Sequence, residues 1–137
     1  MNYKKEYLYK KIVRAKQFLD KNYQDDISLD NLINEANISK YHFIRLFKKT
    51  YEVTPHKYLM EKRLKIAKLE LESTKDSVSV ICFKVGFSSV SSFCNLFKKV
   101  TFQTPLEYRN AFIVRKKNRF SEPFKNIPGC YGLIHHS

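Results

Sequence analysis

The most constraining feature of the sequence is an internal repeat with a spacing of 50 residues. Nine of the twenty residues from 39 to 58 are identical to the residues 50 positions later, and the run Leu46–Lys49 returns as Leu96–Lys99. The turn before this stretch matches at a spacing of 49, where Asn37 corresponds to Gly86, so the second copy has one extra residue. The duplication predicts one supersecondary unit that occurs twice.

Each copy has the pattern of a helix, a tight turn and a second helix. Ser28 and Ser77 are placed to cap the first helix of each copy, while Ser39 and either Ser88 or Ser89 are placed to cap the second. The second helix has a basic, polar outer face and ends in Phe-Lys-Lys in both copies. This pattern is typical of a helix-turn-helix, although an ordinary helical hairpin has the same outline.

A longer helix is expected between the two copies. Thr54 can cap it, and Pro55 suits the first helical position because its missing N–H would have no partner there. The segment 54–72 would be about 28 Å long at ~1.5 Å per residue. Successive major-groove faces on one side of B-DNA lie about 34 Å apart, so the linker can hold two reading helices near that separation. A monomer is therefore expected to suffice for binding DNA.

The remaining segments are also helical in pattern. Leu8, Ile12 and Leu19 fall on one stripe of a first helix, and Thr104-Pro105 opens a short seventh helix through Tyr108. Only three glycines and four prolines are present, which argues against a β-sandwich or propeller. The predicted fold class is all-α: a seven-helix, bundle-like domain with two helix-turn-helix lobes joined by a long linker helix.

The charge of the chain points to a polyanionic partner. Lysine and arginine number 26 against 13 acidic residues, which gives a formal net charge of +13. DNA, RNA and an anionic membrane surface all fit this charge, and so does a merely lysine-rich solvated surface. Charge alone supplies non-specific affinity. No stretch approaches the ~18 apolar residues of a membrane span, and no apolar signal core begins the chain. A cytoplasmic location is expected.

Several short motifs occur in order along the chain. They are Ser28-Leu29-x-x-Leu32, Ser39-x-x-x-Phe43-x-Arg45-Leu46-Phe47-Lys48-Lys49, Thr54-Pro55-x-x-Tyr58-Leu59, Arg63-Leu64-x-x-Ala67, Val85-Gly86-Phe87, Phe93-x-x-x-Phe97-Lys98-Lys99 and Thr104-Pro105-x-x-Tyr108-Arg109. In this combination the chain resembles the AraC/XylS-type bacterial transcription regulators from about residue 12 to 109. The resemblance implies a two-lobed DNA-binding domain that places both reading helices in the major groove.

The resemblance also sets the expected domain boundaries. The AraC-type domain is expected to cover residues 1–110, and residues 111–137 form a basic C-terminal tail of uncertain structure. Within the domain, three parts are expected: a first helix-turn-helix at about 28–50, a linker helix at about 54–72 and a second helix-turn-helix at about 77–100. The chain has no room for the separate ligand-binding domain that many family members carry, so it resembles the short, single-domain form.

Four positions depart from the family pattern. Glu52 and Phe102 stand where the family usually has a glycine, and Cys82 replaces the usual alanine of the fifth helix. Asn95 stands where an arginine is often found on the second reading helix. The last difference bears on how strongly the second lobe reads its half of the binding site.

Candidate base contacts on the third helix are Tyr41, Ile44 and Arg45, which match family positions that reach base edges. Arg45 is the strongest candidate because its planar guanidinium can bind O6 and N7 of guanine together. Tyr41 can contact a thymine methyl group, and an exposed Ile44 would favour a contact. A solvated helix face is the alternative explanation for all three.

Candidate contacts on the sixth helix are weaker readers. The matching positions are Val90, Ser91, Ser92 and Asn95, of which Asn95 can pair with N6 and N7 of adenine. Lysines that flank or end the two reading helices are expected to contact phosphates. Such contacts position the protein on the duplex but do not read the base sequence. These lysines are Lys40, Lys48, Lys49, Lys98 and Lys99.

The sequence therefore predicts a sequence-specific DNA-binding transcription regulator that binds double-stranded DNA, with RNA polymerase as a further candidate partner. The alternative is a non-catalytic basic helical module that coats nucleic acid or binds a partner protein. No nucleophile–base pattern or glycine-rich phosphate loop occurs, so neither enzymatic activity nor a cofactor is expected. The histidines at 42, 56, 135 and 136 and the cysteines at 82, 94 and 130 lack metal-site spacing.

Overall fold

The fold was analysed in a computed structural model that describes residues 3–121. These residues form seven α-helices and no β-strand, so the all-α prediction is confirmed. The helices are α1 (Tyr3–Asn22), α2 (Leu29–Glu35), α3 (Lys40–Tyr51), α4 (Pro55–Ser73), α5 (Val78–Lys84), α6 (Val90–Thr101) and α7 (Pro105–Ser121). Among the described residues, no helix is long and apolar enough to cross a membrane.

Side-chain caps determine where the internal helices begin. The hydroxyl of Ser39 accepts a hydrogen bond of 3.2 Å from the backbone N–H of His42, and Ser89 accepts one of 3.3 Å from Ser92. The same three-residue reach recurs at the N-caps Ser28, Ser77, Thr54 and Thr104. Each cap satisfies a backbone donor that has no partner within its own helix. The repeated sequence thus produces two equivalent sets of helix boundaries.

Two hydrophobic cores correspond to the two copies, and α4 contributes to both. The first core contains Ile12, Ala15, Leu19, Ile33, Phe43, Phe47 and Leu59. The second contains Leu64, Ala67, Leu71, Ile81, Cys82, Val85, Phe87, Phe93 and Phe97. The N-terminal part of α4 completes the first lobe and its C-terminal part begins the second, so the linker is packed at both ends and rigidly joins them.

The structural repeat extends further than the sequence repeat. Ile12, Ala15 and Leu19 on α1 correspond to Leu64, Ala67 and Leu71 on α4 at a constant spacing of 52 residues, and each set packs into its own core. The helix α1 therefore has the same role in the first lobe that α4 has in the second. Each lobe consists of a long support helix, a helix-turn-helix and the start of the next helix.

A tyrosine–carboxylate hydrogen bond closes each lobe. The Tyr58 hydroxyl donates to Asp20 at the end of α1, and the Tyr108 hydroxyl donates to Glu72 at the end of α4. Burial, assisted by the neighbouring carboxylate, raises the pKa of each tyrosine to about 12. Both phenols therefore remain protonated donors across the physiological pH range.

Arg63 connects the two lobes. Its side chain is buried (7% exposed) and donates from Nε to the Tyr23 carbonyl at 2.6 Å and from Nη2 to the Asp25 carbonyl at 2.9 Å. The same guanidinium lies against Gly86, which has a φ of +107°. A Cβ atom at Gly86 would stand 2.7 Å from Nε of Arg63, so only glycine fits this turn. The end of α1 and the turn of the second lobe therefore meet on one arginine.

The last helix is longer than the sequence predicts. The sequence gives a short helix through Tyr108, but α7 continues to Ser121. Beyond Phe112 the helical side chains up to Phe120 are exposed, so this part of α7 buries no periodic apolar stripe that would reveal it. The remainder of the predicted tail, residues 122–137, lies outside the described residues, and so do Cys130, His135 and His136.

Candidate nucleic-acid interface

The outward face of α3 presents a stripe of large polar side chains. Phe43 and Phe47 are fully buried, which turns Tyr41, Arg45 and Lys48 to the opposite side at a spacing of one helical turn. Tyr41 is 76% exposed, and Arg45 and Lys48 are exposed as well. The face combines an aromatic ring, a bidentate donor and a cation, which suits a nucleic-acid groove.

Ile44 is not the exposed side chain that the sequence analysis assumed. It is half-buried and packs against the first core, beside Ile27, Leu29 and Pro55 in a surface groove of about 560 Å³. The reason is its position on α3, where it follows the buried Phe43 and turns toward the start of α4. Exposure therefore no longer argues for a base contact by Ile44, although its outer edge still borders the stripe.

Lys40 already has an intramolecular partner. Its Nζ lies 3.0 Å from Oδ1 of Asp30 on α2, and both side chains are largely exposed. Exposed ion pairs of this kind contribute little to stability, so a phosphate can replace the carboxylate at small cost. The pair also fixes the lysine near the N-terminus of α3.

The outward face of α6 has the same geometry with smaller side chains. Ser91, Asn95 and Lys98 occupy the positions equivalent to Tyr41, Arg45 and Lys48, and all three are exposed. Ser92 is exposed too, whereas Val90 is half-buried and packs against the second core. The Ser91 hydroxyl lies 3.1 Å from the hydroxyl of the N-cap Ser89. The second face therefore offers hydroxyl and amide groups and no charge before Lys98.

Lysine pairs end both outward helices. Lys48 and Lys49 lie in the last turn of α3, and Lys98 and Lys99 lie in the last turn of α6. All four side chains are exposed. Cations at a helix C-terminus interact favourably with the helix dipole, so these lysines also have a structural role. Their position at one end of each outward face is suited to the sugar-phosphate backbone.

The sequence pattern includes Arg63 in a motif but predicts no role for it. The signal was present: Arg63 falls on the same helical face as Leu59, Leu64 and Ala67, where an apolar residue is expected. Burial lowers the pKa of its guanidinium, and the charge of Asp26 opposes that shift. Arg63 contacts the carbonyls that follow α1 and the turn at Gly86, and so acts on the relative position of the two lobes. Within residues 3–121, no cluster of three or more metal-ligating side chains occurs.

Comparison with known proteins identifies the family. A family model described as a helix-turn-helix domain matches residues 32–111, more than half of the chain. A solved structure from Chromobacterium violaceum, described as a transcriptional regulator of the AraC-type DNA-binding domain-containing proteins, superposes with a TM-score of 0.65 at 29% identity. That superposition covers 74% of this chain and 91% of the other. The chain belongs to the AraC-type helix-turn-helix family. It therefore carries a DNA-binding domain of the type found in transcription regulators.

Relatives of this AraC-type chain include regulators of different size. The TetD protein of transposon Tn10 from Escherichia coli is 37% identical over 92 residues, which is 67% of each chain. A bifunctional transcriptional activator/DNA repair enzyme, AdaA from Bacillus subtilis, is 34% identical over 93 residues. That match spans 68% of the present chain and 44% of AdaA, so the similarity concerns the domain and not the whole of the larger protein.

Proposed function

We propose that this AraC-type chain is a sequence-specific DNA-binding transcription regulator that reads two adjacent major-groove segments, one with α3 and one with α6. The observation that carries the proposal is the equivalence of the two outward faces. Tyr41, Arg45 and Lys48 on α3 match Ser91, Asn95 and Lys98 on α6 position by position, and both helices end in exposed lysine pairs. A module that bound only a partner protein would have no need to present this face twice.

The linker supports binding by one chain. Helix α4 has 19 residues, and at ~1.5 Å per residue its length is about 28 Å. Most helix-turn-helix proteins dimerise to place two helices one DNA turn, about 34 Å, apart. Here both helices belong to one chain and are joined by a helix that is packed into both cores. A monomer on double-stranded DNA is the simplest arrangement.

The individual contacts follow from the chemistry of the exposed side chains. Arg45 binds guanine through its planar fork, and Asn95 pairs with adenine. Tyr41, Ser91 and Ser92 add contacts to neighbouring bases, and Ile44 and Val90 contribute only their exposed edges. The lysines at 40, 48, 49, 98 and 99 bind phosphates and set the register.

The domain performing this function is proposed to occupy residues 1–110, because Tyr108 and Arg109 fix the start of α7 to the end of α4. The Arg109 guanidinium donates to the carbonyls of Leu71 at 3.1 Å and Thr74 at 3.2 Å. Residues 111–137 then form a basic extension that begins as the exposed part of α7. We propose that the chain acts in the cytoplasm, without catalysis or a cofactor, and that it regulates transcription through contact with RNA polymerase.

Selection from a pool of random DNA duplexes tests the proposal. The chain should enrich a motif with two blocks of preferred bases about 10 base pairs apart, one for each lobe. An unrelated duplex should compete at least about 1,000-fold less well than the enriched one. An architectural protein would enrich no motif, and similar competition by both duplexes would contradict the proposed function.

A further inference from the structure

A groove of about 490 Å³ lies on the first lobe between α1 and the end of α2, away from α3. Two aromatic side chains form its walls and remain open to solvent: Tyr7 is 58% exposed and Phe18 is 44% exposed. Lys11 and Arg14 supply positive charge, and Glu35 is the acidic residue that lines the groove. Lys11 donates to the carbonyl of Ala36 at the end of α2.

The equivalent place in the second lobe is occupied by another segment of the chain. Lys11 on α1 corresponds to Arg63 on α4 at the same spacing of 52 residues that relates the two core stripes. Lys11 lies beside the turn at Asn37, and Arg63 lies beside the matching turn at Gly86. In the second lobe, the chain turn that follows α1 covers the arginine, and the carbonyls of Tyr23 and Asp25 accept its hydrogen bonds.

The two lobes therefore differ in whether another segment of the chain covers the cation beside the turn. In the second lobe, the turn that follows α1 lies on the cation: the backbone carbonyls of Tyr23 and Asp25 accept its hydrogen bonds, and the charge of Asp26 acts on it from nearby. In the first lobe, no segment among residues 3–121 covers Lys11 in that way, and the aromatic walls are exposed instead. Paired aromatic and basic side chains around a concave surface are typical of a protein-docking site.

We propose that this groove, lined by Tyr7, Lys11, Arg14 and Phe18, binds the C-terminal turn of an acidic helix from a partner protein. The last carbonyls of that helix would accept hydrogen bonds from Lys11 and Arg14, as the Tyr23 and Asp25 carbonyls accept them from Arg63, and its aspartates would add favourable charge. Apolar side chains of the same turn would pack on Tyr7 and Phe18. The groove is lined by residues of α1, α2 and the turn at Asn37, and by none of α3 or α6.

The helix end observed in the second lobe provides the probe. A fluorescein-labelled peptide of residues 15–27 should bind the full chain saturably at concentrations up to about 1 mM. Amide resonances of Lys11, Ala36 and Asn37 should shift with the same saturation curve. Lys11→Glu should weaken binding at least about tenfold, because it replaces attraction with repulsion. A peptide with Asp25→Lys and Asp26→Lys should fail to bind.

Matched controls separate the groove from general charge and from misfolding. Lys10→Glu makes the same charge change one residue away, where Lys10 is exposed and pairs with Glu6, and it should bind the peptide like the unmodified chain. The circular dichroism of Lys11→Glu should remain unchanged, which shows that the variant still folds.

Any of five outcomes would overturn the proposal. The first is absence of saturable binding, and the second is equal weakening by Lys10→Glu and Lys11→Glu. The third is a set of shifts confined to Gly86 and Phe87, which would mean that the peptide only displaces α1 from Arg63. Contacts between the groove and residues 122–137, or concentration-dependent dimerisation that Lys11→Glu abolishes, would assign the surface to the chain itself and also exclude the partner.

Discussion

At the scale of single residues, Glu52 and Phe102 have a backbone conformation that costs stability. Their φ angles are 68° and 66°, in the left-handed region that favours glycine. The two residues are the C-cap residues of α3 and α6. Glu52→Gly should therefore stabilise the chain by about 0.5–1 kcal/mol, with strain relief exceeding the added entropy of the unfolded state.

A matched substitution in a regular helix separates this effect from the loss of a charge. Glu61→Gly removes the same side chain from the middle of α4 and should destabilise by about 1 kcal/mol. Urea unfolding followed by circular dichroism measures both changes. A lower stability for Glu52→Gly would show that the left-handed position is not strained.

The two half-buried phenols, Tyr58 and Tyr108, predict a loss of stability at alkaline pH. Their folded pKa of about 12 lies above the ordinary value of 10.0, so the folded chain keeps protons that the unfolded chain releases. This contribution to stability is fully present below pH 10 and disappears as the pH rises through 12. The double variant with Tyr58→Phe and Tyr108→Phe should show a shallower decline between pH 10 and 12.

Urea midpoints measured from pH 8 to 12 test the alkaline prediction. Tyr41→Phe serves as the control, because this exposed side chain on α3 leaves the two tyrosine–carboxylate bonds intact. It should leave the decline unchanged. An equally steep decline in the double variant would place the alkaline sensitivity elsewhere in the chain.

Exposure of single side chains was only partly predictable from sequence. The pattern around Phe43 and Phe47 correctly turns Tyr41 and Arg45 outward, because helical periodicity fixes both faces. The half-burial of Ile44 depends on packing against α4, which periodicity does not describe. The sequence pattern places Arg63 on an otherwise apolar helical face, but the carbonyls that bind it come from the segment after α1, which a local pattern does not reveal.

At the scale of helices, the sequence predicts where each helix begins better than where it ends. Ser28, Ser39, Thr54, Ser77 and Ser89 all act as the expected caps, since a cap is a local interaction between a side chain and its own helix. The length of α7 was missed because its last turns are exposed and have no apolar stripe. Helix propensity of lysine and arginine extends it without help from the core.

The lysine pairs at the ends of α3 and α6 lead to a prediction on salt dependence. If Lys49 binds a phosphate, Lys49→Ala should weaken all DNA sequences alike and lower the salt slope by about 1. Lys10→Ala on α1 is the control and should leave the slope unchanged. Fluorescence anisotropy at several salt concentrations, with specific and unrelated duplexes, gives both slopes. A change in the preferred sequence would show that Lys49 reads bases.

At the scale of the whole molecule, Arg63 fixes the position of one lobe relative to the other. Arg63→Met keeps the apolar stem and removes the hydrogen bonds to Tyr23 and Asp25, so it should cost about 2–3 kcal/mol. The variant should also tolerate one inserted base pair between the two half-sites better than the unmodified chain, because the lobes are less firmly connected.

Arg109→Met is the control for this effect. Arg109 holds the end of α4 in the second lobe as Arg63 holds the end of α1, but it does not connect the lobes. Arg109→Met should lower the free energy of unfolding, but it should not change how well the chain tolerates an inserted base pair between the two half-sites. Affinities for selected sites with 0 and 1 inserted base pairs provide the measurement, and equal tolerance in both variants would remove Arg63 from this role.

The two lobes are proposed to read DNA separately and unequally. The most direct measurement is the set of binding-site profiles selected by the unmodified chain, Arg45→Ala and Asn95→Ala. A bidentate contact provides about 1–3 kcal/mol of base discrimination, so Arg45→Ala should erase preference at one base pair in the first block, and Asn95→Ala should weaken the second block by less. A profile that Arg45→Ala leaves unchanged, with information lost only under the second lobe, would contradict the account.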